Sequence, residues 1–512
     1  MLSKVYSAVN IGLNSRLVEV EVDISRGFPC FAIVGLPDKA VEEAKERVRS
    51  AMTNLNLKFP SQRRIIINLA PADVKKEGSI YDLPIALGIL LASEGVAFNF
   101  SPESRLFIGE LALNGDLRHI KGVLPMAIFA KEKGYQEIYL PEANLEEVKL
   151  VKGLKIYPLK NFKELLDHLT GKKVIKPIIS RGVKIQAKED FEIDLAFIKG
   201  QEFAKRALEI TATGGHNLLM AGPPGSGKTF LARALPSILP ILTQEEILEV
   251  TKIYSVAGLL KEDKPLIKER PFRSPHHTIS DVALVGGGQF PRPGEISLAH
   301  RGVLFMDEFS EFSRSVLEAL RQPLEDGVVT VSRARGHLTY PAKFILTASR
   351  NPCPCGWFGD REKTCLCSPS QIIRYRKRVS GPLLDRIDLH LEVPRVPFEK
   401  LTEESIAENS KTVRERVQKA RKIQEQRFRQ EKILTNAEMG VRQIKKYCQI
   451  EKSAQDLLRV AIDDYRLSAR AYHRILKVAR TIADLAGEEK ILTNHIAEAI
   501  QYRVRMEEEK IF

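Results

Sequence analysis

Along the first third of the chain, short apolar runs alternate with stretches whose apolar residues recur at helical spacing. "AIVGL" at Ala32 to Leu36, "RRIIINL" at Arg63 to Leu69 and "EIYLP" at Glu137 to Pro141 predict strands, and "KAVEEAKERVRSAM" from Lys39 predicts a helix with one apolar face. The stretch "GKKVIKPIISRGVKIQAKEDFEID" from Gly171 is rich in Lys, Ile and Pro and predicts a linker. A second α/β pattern runs from Phe191 to Leu391. From Val393 onward strand signals nearly vanish, and "SAQDLLRVAIDDY", "SARAYHRILKVARTIADLAG" and "NHIAEAIQYRV" carry the amphipathic period of successive helices. The expected order is an α/β domain over 1–168, a linker over 169–190, an α/β core over 191–391 and a helical domain over 392–512.

Composition is that of a globular protein: 512 residues, 44% hydrophobic and 28% charged, enough for two or three separate cores. A formal charge of +14 changes the picture by favouring a polyanionic partner, nucleic acid before a membrane surface. No apolar run is long enough to cross a bilayer and no leader pattern opens the chain, so a soluble, cytoplasmic protein without a membrane partner is expected. Thiols stay reduced in that compartment, which turns a tight cysteine cluster into a metal site before a set of disulfides.

The clearest chemistry lies in "NLLMAGPPGSGKTFLARAL", a strand, a Gly-rich loop and a helix in the order a phosphate-binding loop requires. It spans Gly222, Pro223, Pro224, Gly225, Ser226, Gly227, Lys228 and Thr229. Backbone N–H groups of the glycines converge on phosphate oxygens at the helix start, Lys228 offers a point charge to the β- and γ-phosphates, and the Thr229 hydroxyl is suited to Mg²⁺. Farther on, "RGVLFMDEF" predicts a buried strand ending in Asp307 and Glu308. Asp307 is expected to hold Mg²⁺ through water, and Glu308 to orient and activate the attacking water. Alone, two adjacent acids would be a solvent-facing strand end; beside the loop they favour hydrolysis of a nucleoside triphosphate over simple binding.

Four of the six cysteines fall in "NPCPCGWFGDREKTCLCS", as two C-x-C pairs. Cys353, Cys355, Cys365 and Cys367 are soft ligands enough to close a tetrahedral Zn²⁺ site, within an insertion at 352–368. The alternative is thiols without a metal, because the pairs are tighter than the commoner C-x₂-C knuckle. Cys30 and Cys448 lie apart from the cluster. His276 and His277 in "SPHHT" have no acid or cysteine at ligand spacing, and packing or a hydrogen bond between subunits is expected rather than a metal.

These motifs occur in one order with "AFIKGQEFAKRALEI", "RPFRSPHHTISDVALVGGGQFPRPGEISLAHRGVLFMDEF", "RNPCPCG", "SGPLLDRIDLH" and "LSARAYHRILKVARTIADLAG". The chain thereby resembles the magnesium-chelatase-like group of AAA+ ATPases over essentially its whole length. The resemblance implies a P-loop core with a parallel sheet and a helical lid, with ATP and Mg²⁺ as cofactors. It implies that the region from Ile198 to Gln201 forms part of the adenine pocket and that Asn351 senses the γ-phosphate. It further implies that Arg386 is an arginine finger reaching the nucleotide of a neighbouring subunit, in a hexameric ring, and that Arg470 is a sensor in the lid. Either arginine is otherwise a surface ion-pair residue.

At the front, the resemblance is to a Lon-protease-like domain in which the proteolytic dyad is missing. Ser79 lacks the small-residue context of a nucleophile, Val123 and Leu124 stand where the lysine would be, and Lys121 is out of phase. A role in ring assembly or DNA contact is expected instead. The glycine-rich segment Ser280 to Ile296 reads, by family, as an insertion on the pore side. "GVVTVSRARGHLTYPAKF" predicts a hairpin that sets Arg333 and Arg335 beside its turn, facing phosphates in a channel or decorating a solvated edge. "RYRKR" adds Arg374, Arg376, Lys377 and Arg378 as candidates for contact with a nucleic-acid backbone. The helix from Arg414 to Arg429 is also basic, but its glutamates fit a salt-bridged face equally well. The function implied is an ATP-driven motor on single-stranded or branched DNA, a helicase of the kind that moves branches during recombination. The competing readings are the ATPase subunit of a metal chelatase and a protein-remodelling ring.

Overall fold

The computed structural model describes residues 2–93, 102–180, 191–261, 263–288, 292–333, 336–360, 362–397, 399–400, 408–465 and 467–508, with the side chains of 332, 333, 336 and 504–508 outside the description. It is mixed α/β and divides into two compact units, Met1–Ile185 with Thr243–Lys268, and Gln186–Leu242 with Glu269–Phe512.

In the first unit, β1 (Leu2–Ile11), β2 (Asn14–Ser25), β3 (Cys30–Val34) and β4 (Arg64–Ala70) form a sheet in the order β1-β2-β4-β3, with only the β3–β4 pair parallel. Helix α1 (Asp82–Ala92) is apolar around almost its whole circumference because it lies against β1 and β2 in the core. A second sheet joins β5 (Arg105–Phe107), β6 (Glu137–Pro141), β7 (Lys155–Leu159) and β8 (Ile178–Ile179). The strand β8 departs from the linker expected over 169–190, since Ile178 and Ile179 pair with β7; residues 181–190 of that stretch lie outside the described residues. The single helix expected from Lys39 is two, Lys39–Glu42 capped by Asp38 and then Ala44–Asn54. Ser79 donates to Glu110, whereas the Lys121 side chain lies along Gly258, so the two residues have different neighbours. Val123 and Leu124 are buried at the start of α2 (Val123–Glu132), where apolar residues serve packing.

One excursion was not legible in advance. Thr243–Lys268, within the stretch expected to be core, belongs to the first unit. Its helix Gln244–Ala257 opens on a capping box between Thr243 and Glu246 and packs on α2. Ser255 donates to the buried Glu147 at 2.8 Å.

In the second unit α3 (Glu202–Gly214) precedes β9 (Leu218–Ala221), the Gly-rich loop and α4 (Lys228–Ile238). With β10 (Phe272–Arg273), β11 (Val303–Met306), β12 (Ile345–Arg350) and β13 (Leu389–Glu392), β9 makes a parallel sheet in the order β10-β11-β12-β9-β13. The strands β9 and β11 read as unbroken apolar runs, as expected of parallel strands buried on both faces. The helices beyond β13 include α5 (Ser410–Arg427) and α6 (Ala469–Ala486). They share one buried cluster with the sheet, Leu218, Phe305 and Leu389 lying in it with Val417, Ile475 and Ile482. The expected helical domain is therefore continuous with the core in one compact unit.

A buried ionic cluster fixes these helices. Arg427 donates to Asp484 at 2.8 Å, Arg480 donates to the same carboxylate at 3.1 Å, and Asn436 adds a bond at 2.8 Å. Asp484→Ala would leave two enclosed cations without their partner. A loss of about 3–5 kcal/mol is expected. It would be read as a lower urea midpoint for the transition that includes this unit.

Candidate active site

The sheet order brings the chemistry together. The strands β9 and β11 flank β12 and run parallel to it, so the residues that leave their C-terminal ends meet at one edge. Thr229, at the start of α4, donates to Asp307 at 2.9 Å. The other oxygen of Asp307 accepts from the Ser349 hydroxyl on β12 and from the Glu308 N–H. Gly222 is required by close approach: a Cβ there would lie 2.2 Å from the Val393 carbonyl oxygen. Gly225 and Gly227 both have positive φ, which the turn into α4 needs.

Lys228 is buried and folds back onto its own loop, donating to the carbonyls of Gly222 and Pro223 at 2.8 Å each. Burial lowers its ammonium to about 8, against the opposing pull of Asp307. Glu308 leaves β11 in the left-handed region, φ 52°, an uncommon conformation for a non-glycine residue. Its side chain is mostly exposed and within 3.3 Å of His277 Nδ1. The His277 ring packs against His276, tilted by 32° with centroids 4.1 Å apart. The sequence supplied no reason to pair His277 with Glu308, because the link depends on β10 lying beside β11.

Asn351 follows β12 directly, and the Gly222 N–H donates to the Arg350 carbonyl at 3.2 Å, which sets Asn351 beside the phosphate loop. Ile198 is buried in the core, and the turn after it is tied by Gln201, which donates to the Pro394 carbonyl at 2.6 Å. Arg386 is engaged within its own chain, donating to Pro382 at 2.7 Å and pairing with Glu325. Arg470 and Arg474 also act on Glu325, whose carboxyl is held below its ordinary value, first by the Arg386 hydrogen bond. Arg474 also pairs with the buried Asp388, held far below the carboxylate range by Arg474 and His216 against the effect of burial. Glu325, Asp388 and Arg474 went unnoticed in the sequence because each is an ordinary charged residue until its partners are known.

The four cysteines converge, with sulfur atoms all within 4.8 Å of one another. Cys353 lies 3.4 Å from Cys355 and 3.7 Å from Cys365, and Cys355 lies 3.6 Å from Cys365. Tetrahedral zinc with bonds of about 2.3 Å places sulfurs about 3.8 Å apart. The donor set therefore fits that ion, and the Phe358 N–H donates to Cys353 Sγ at 3.3 Å, a contact that stabilises a thiolate. The basic candidates separate. Arg374, Lys377 and Arg378 line a cavity of about 860 Å³ with Arg314 and Phe312. Arg376 turns away to the Pro352 carbonyl, with its guanidinium 5.1 Å from the Phe358 ring centroid. Arg333 ends a hairpin strand, but its side chain and all of Arg335 lie outside the described residues, as do residues 289–291 of the glycine-rich segment. On either side of those residues, Gly286 and Gly287 pair antiparallel with Pro293 and Arg292.

Two outcomes follow from this geometry. Phosphate pairing should return a proton to Lys228, so nucleotide binding near pH 8 is expected to take up protons, with affinity about tenfold weaker by pH 9 than at neutral pH. Calorimetry in buffers of different ionisation enthalpy reads that uptake. His277→Phe keeps the ring contacts and removes the link to Glu308; a kcat for nucleotide hydrolysis about tenfold lower at unchanged KM is expected.

Comparison with known proteins bears on the same regions. Profiles described as "Magnesium chelatase, subunit ChlI", "Subunit ChlI of Mg-chelatase" and "Magnesium chelatase, subunit ChlI C-terminal" match residues 194–401, 20–144 and 407–503. The chain is 45% identical to competence protein ComM of Haemophilus influenzae, over 98% of this chain and 97% of that protein. It is 44% identical to the uncharacterized protein YifB of Escherichia coli, over the same shares. The magnesium-chelatase 38 kDa subunit of Cereibacter sphaeroides is 27% identical over 30% of this chain and 51% of that subunit. Among the described residues no helix is long and apolar enough to cross a membrane. With a phosphate loop, an acidic strand end and a helical C-terminal region matched in order, the chain belongs to the magnesium-chelatase-like AAA+ family, in the group of ComM and YifB.

Proposed function

We propose that the chain is an ATP-hydrolysing motor acting on DNA, a helicase that promotes branch migration and works as a hexameric ring. The observation that carries the hydrolytic part is the Thr229–Asp307 bond with Glu308 turned outward beside it. Thr229 and, through water, Asp307 would hold Mg²⁺, which would supply charge neutralisation on the β- and γ-phosphates. Lys228 and the loop N–H groups hold the phosphates, Asn351 orients the attacking water, and Glu308 takes its proton. Arg386 exchanges Glu325 for the phosphates bound by a neighbouring copy, and Arg470 closes on the nucleotide from the lid. Cys353, Cys355, Cys365 and Cys367 would hold a structural zinc ion as thiolates.

DNA as the polyanion is supported by the charge of +14, by the cavity in which Arg314, Arg374, Lys377 and Arg378 collect, and by likeness along the whole chain to a protein named for competence. The cavity begins at Ser310, two residues beyond Glu308, so occupation by a phosphate backbone would bear directly on the hydrolytic strand end. The matched ChlI profiles favour a second reading, the ATPase subunit of a chelatase.

The test is ATP hydrolysis by the full chain with and without forked or four-way DNA, at low and moderate salt. Stimulation of about tenfold, lost at higher salt, is expected. A flat response with intact basal hydrolysis would remove DNA and leave the chelatase reading. Glu308→Gln should retain ATP binding while hydrolysis falls by at least about a hundredfold.

A further inference from the structure

The insertion that carries the four cysteines has almost no core of its own. Cys353 is buried, but Leu366 is exposed almost completely and Phe358 is partly exposed. Its fixed points are elsewhere, and they lie on the walls of the nucleotide site. Gly356 has φ 84°, and a Cβ there would lie 2.6 Å from Cδ and 2.7 Å from Cγ of Pro224, inside the phosphate loop, with Asn351 at 3.9 Å. Gly356 is one residue from a candidate ligand, Cys355, and its N–H donates to the carbonyl of another, Cys353, at 3.0 Å.

The far side of the insertion is fastened to Arg395. That guanidinium pairs with Asp360 at 3.1 Å and Glu362 at 2.8 Å, and lies 4.6 Å from the Trp357 ring centroid. Arg395 follows Pro394, whose carbonyl accepts from Gln201, and lies two residues beyond Val393, whose carbonyl crowds Gly222. The insertion thus rests on the phosphate loop at Gly356 and on the segment beside the Ile198–Gln201 turn at Arg395.

We propose that a zinc ion on Cys353, Cys355, Cys365 and Cys367 is a positive effector of nucleotide binding, by holding Gly356 against Pro224 as the outer wall of the phosphate loop. The inference rests on the nucleotide-hydrolase reading of that loop. Four thiolates at metal spacing close the end of this short, exposed insertion that carries Gly356, the end that the Arg395 contacts do not reach, and without the metal Pro224 loses a fixed surface to pack on. Linkage makes the effect reciprocal: whatever factor zinc adds to nucleotide affinity, nucleotide adds to zinc affinity.

Trp357 is the only tryptophan in the chain and reports the state of the insertion directly. In the full-length protein, zinc content, the rate of zinc transfer to a chromogenic chelator, Trp357 emission and the Kd for a fluorescent ATP analogue are measured together. One zinc per chain is expected, with slower release when Mg-ADP is present. Zinc removal should shift Trp357 emission and weaken the nucleotide by about tenfold. Because a Cys355→Ser/Cys365→Ser variant could unfold, Gly356→Ala provides the second arm, keeping all four thiols while pushing on Pro224. It should retain zinc and bind nucleotide about tenfold more weakly. A chain that holds no zinc, or whose nucleotide Kd is the same with and without it, overturns the proposal. Failure of the intact zinc-loaded chain to bind nucleotide would overturn the hydrolase reading as well, and so is distinguishable from failure of the linkage alone.

Discussion

Everything at the active site depends on one hydrogen bond between residues far apart in sequence, Thr229 to Asp307 at 2.9 Å. It exists because two parallel strands flank a third, so that a helix start and a strand end arrive at the same edge. Ser349 from the intervening strand occupies the other carboxylate oxygen. Asp307 is thus held from both sides, which leaves the next residue, Glu308, to project from an uncommon backbone conformation. A carboxylate positioned in this way loses little freedom on meeting its substrate, and the preorganisation comes from the sheet rather than from the site itself.

The opposite edge of the sheet, where the strands begin, gathers structure that is not catalytic. Asp388 sits just before the last sheet strand, accepts the Asn217 N–H at 2.9 Å and pairs with Arg474 of α6. A buried carboxylate between a strand and a helix ties their relative position to one charge pair, which is costly to break because the surviving cation stays enclosed. Glu325 gathers Arg386, Arg470 and Arg474 near that junction. The arginines that resemblance would assign to nucleotide sensing are therefore already part of an electrostatic cluster within one chain, and engaging a phosphate would require an exchange of partners.

Much of this was legible in the sequence wherever chemistry is local. The strand, loop and helix around Gly222–Thr229 follow from a run of residues that has one backbone solution, and the strand before Asp307 follows from an unbroken apolar run. The convergence of four cysteines was expected from two C-x-C pairs and is present. The split of "RYRKR" was not legible, because a helix sends Arg376 to one side and Arg374 and Lys377 to another, and sequence spacing alone does not say what each side faces. Nor was the excursion at Thr243–Lys268, whose amphipathic pattern states that it has a buried face without saying which unit covers it.

By itself the sequence determined the mixed α/β class, the phosphate loop, the paired acids and the metal-type cysteine set, since each rests on residues close together in the chain. Tertiary structure decided which distant residues complete them: His277 beside Glu308, Glu325 around Arg386, Gly356 against Pro224. The reason is the parallel sheet, whose strand order differs from chain order. It makes neighbours of residues that no local pattern relates.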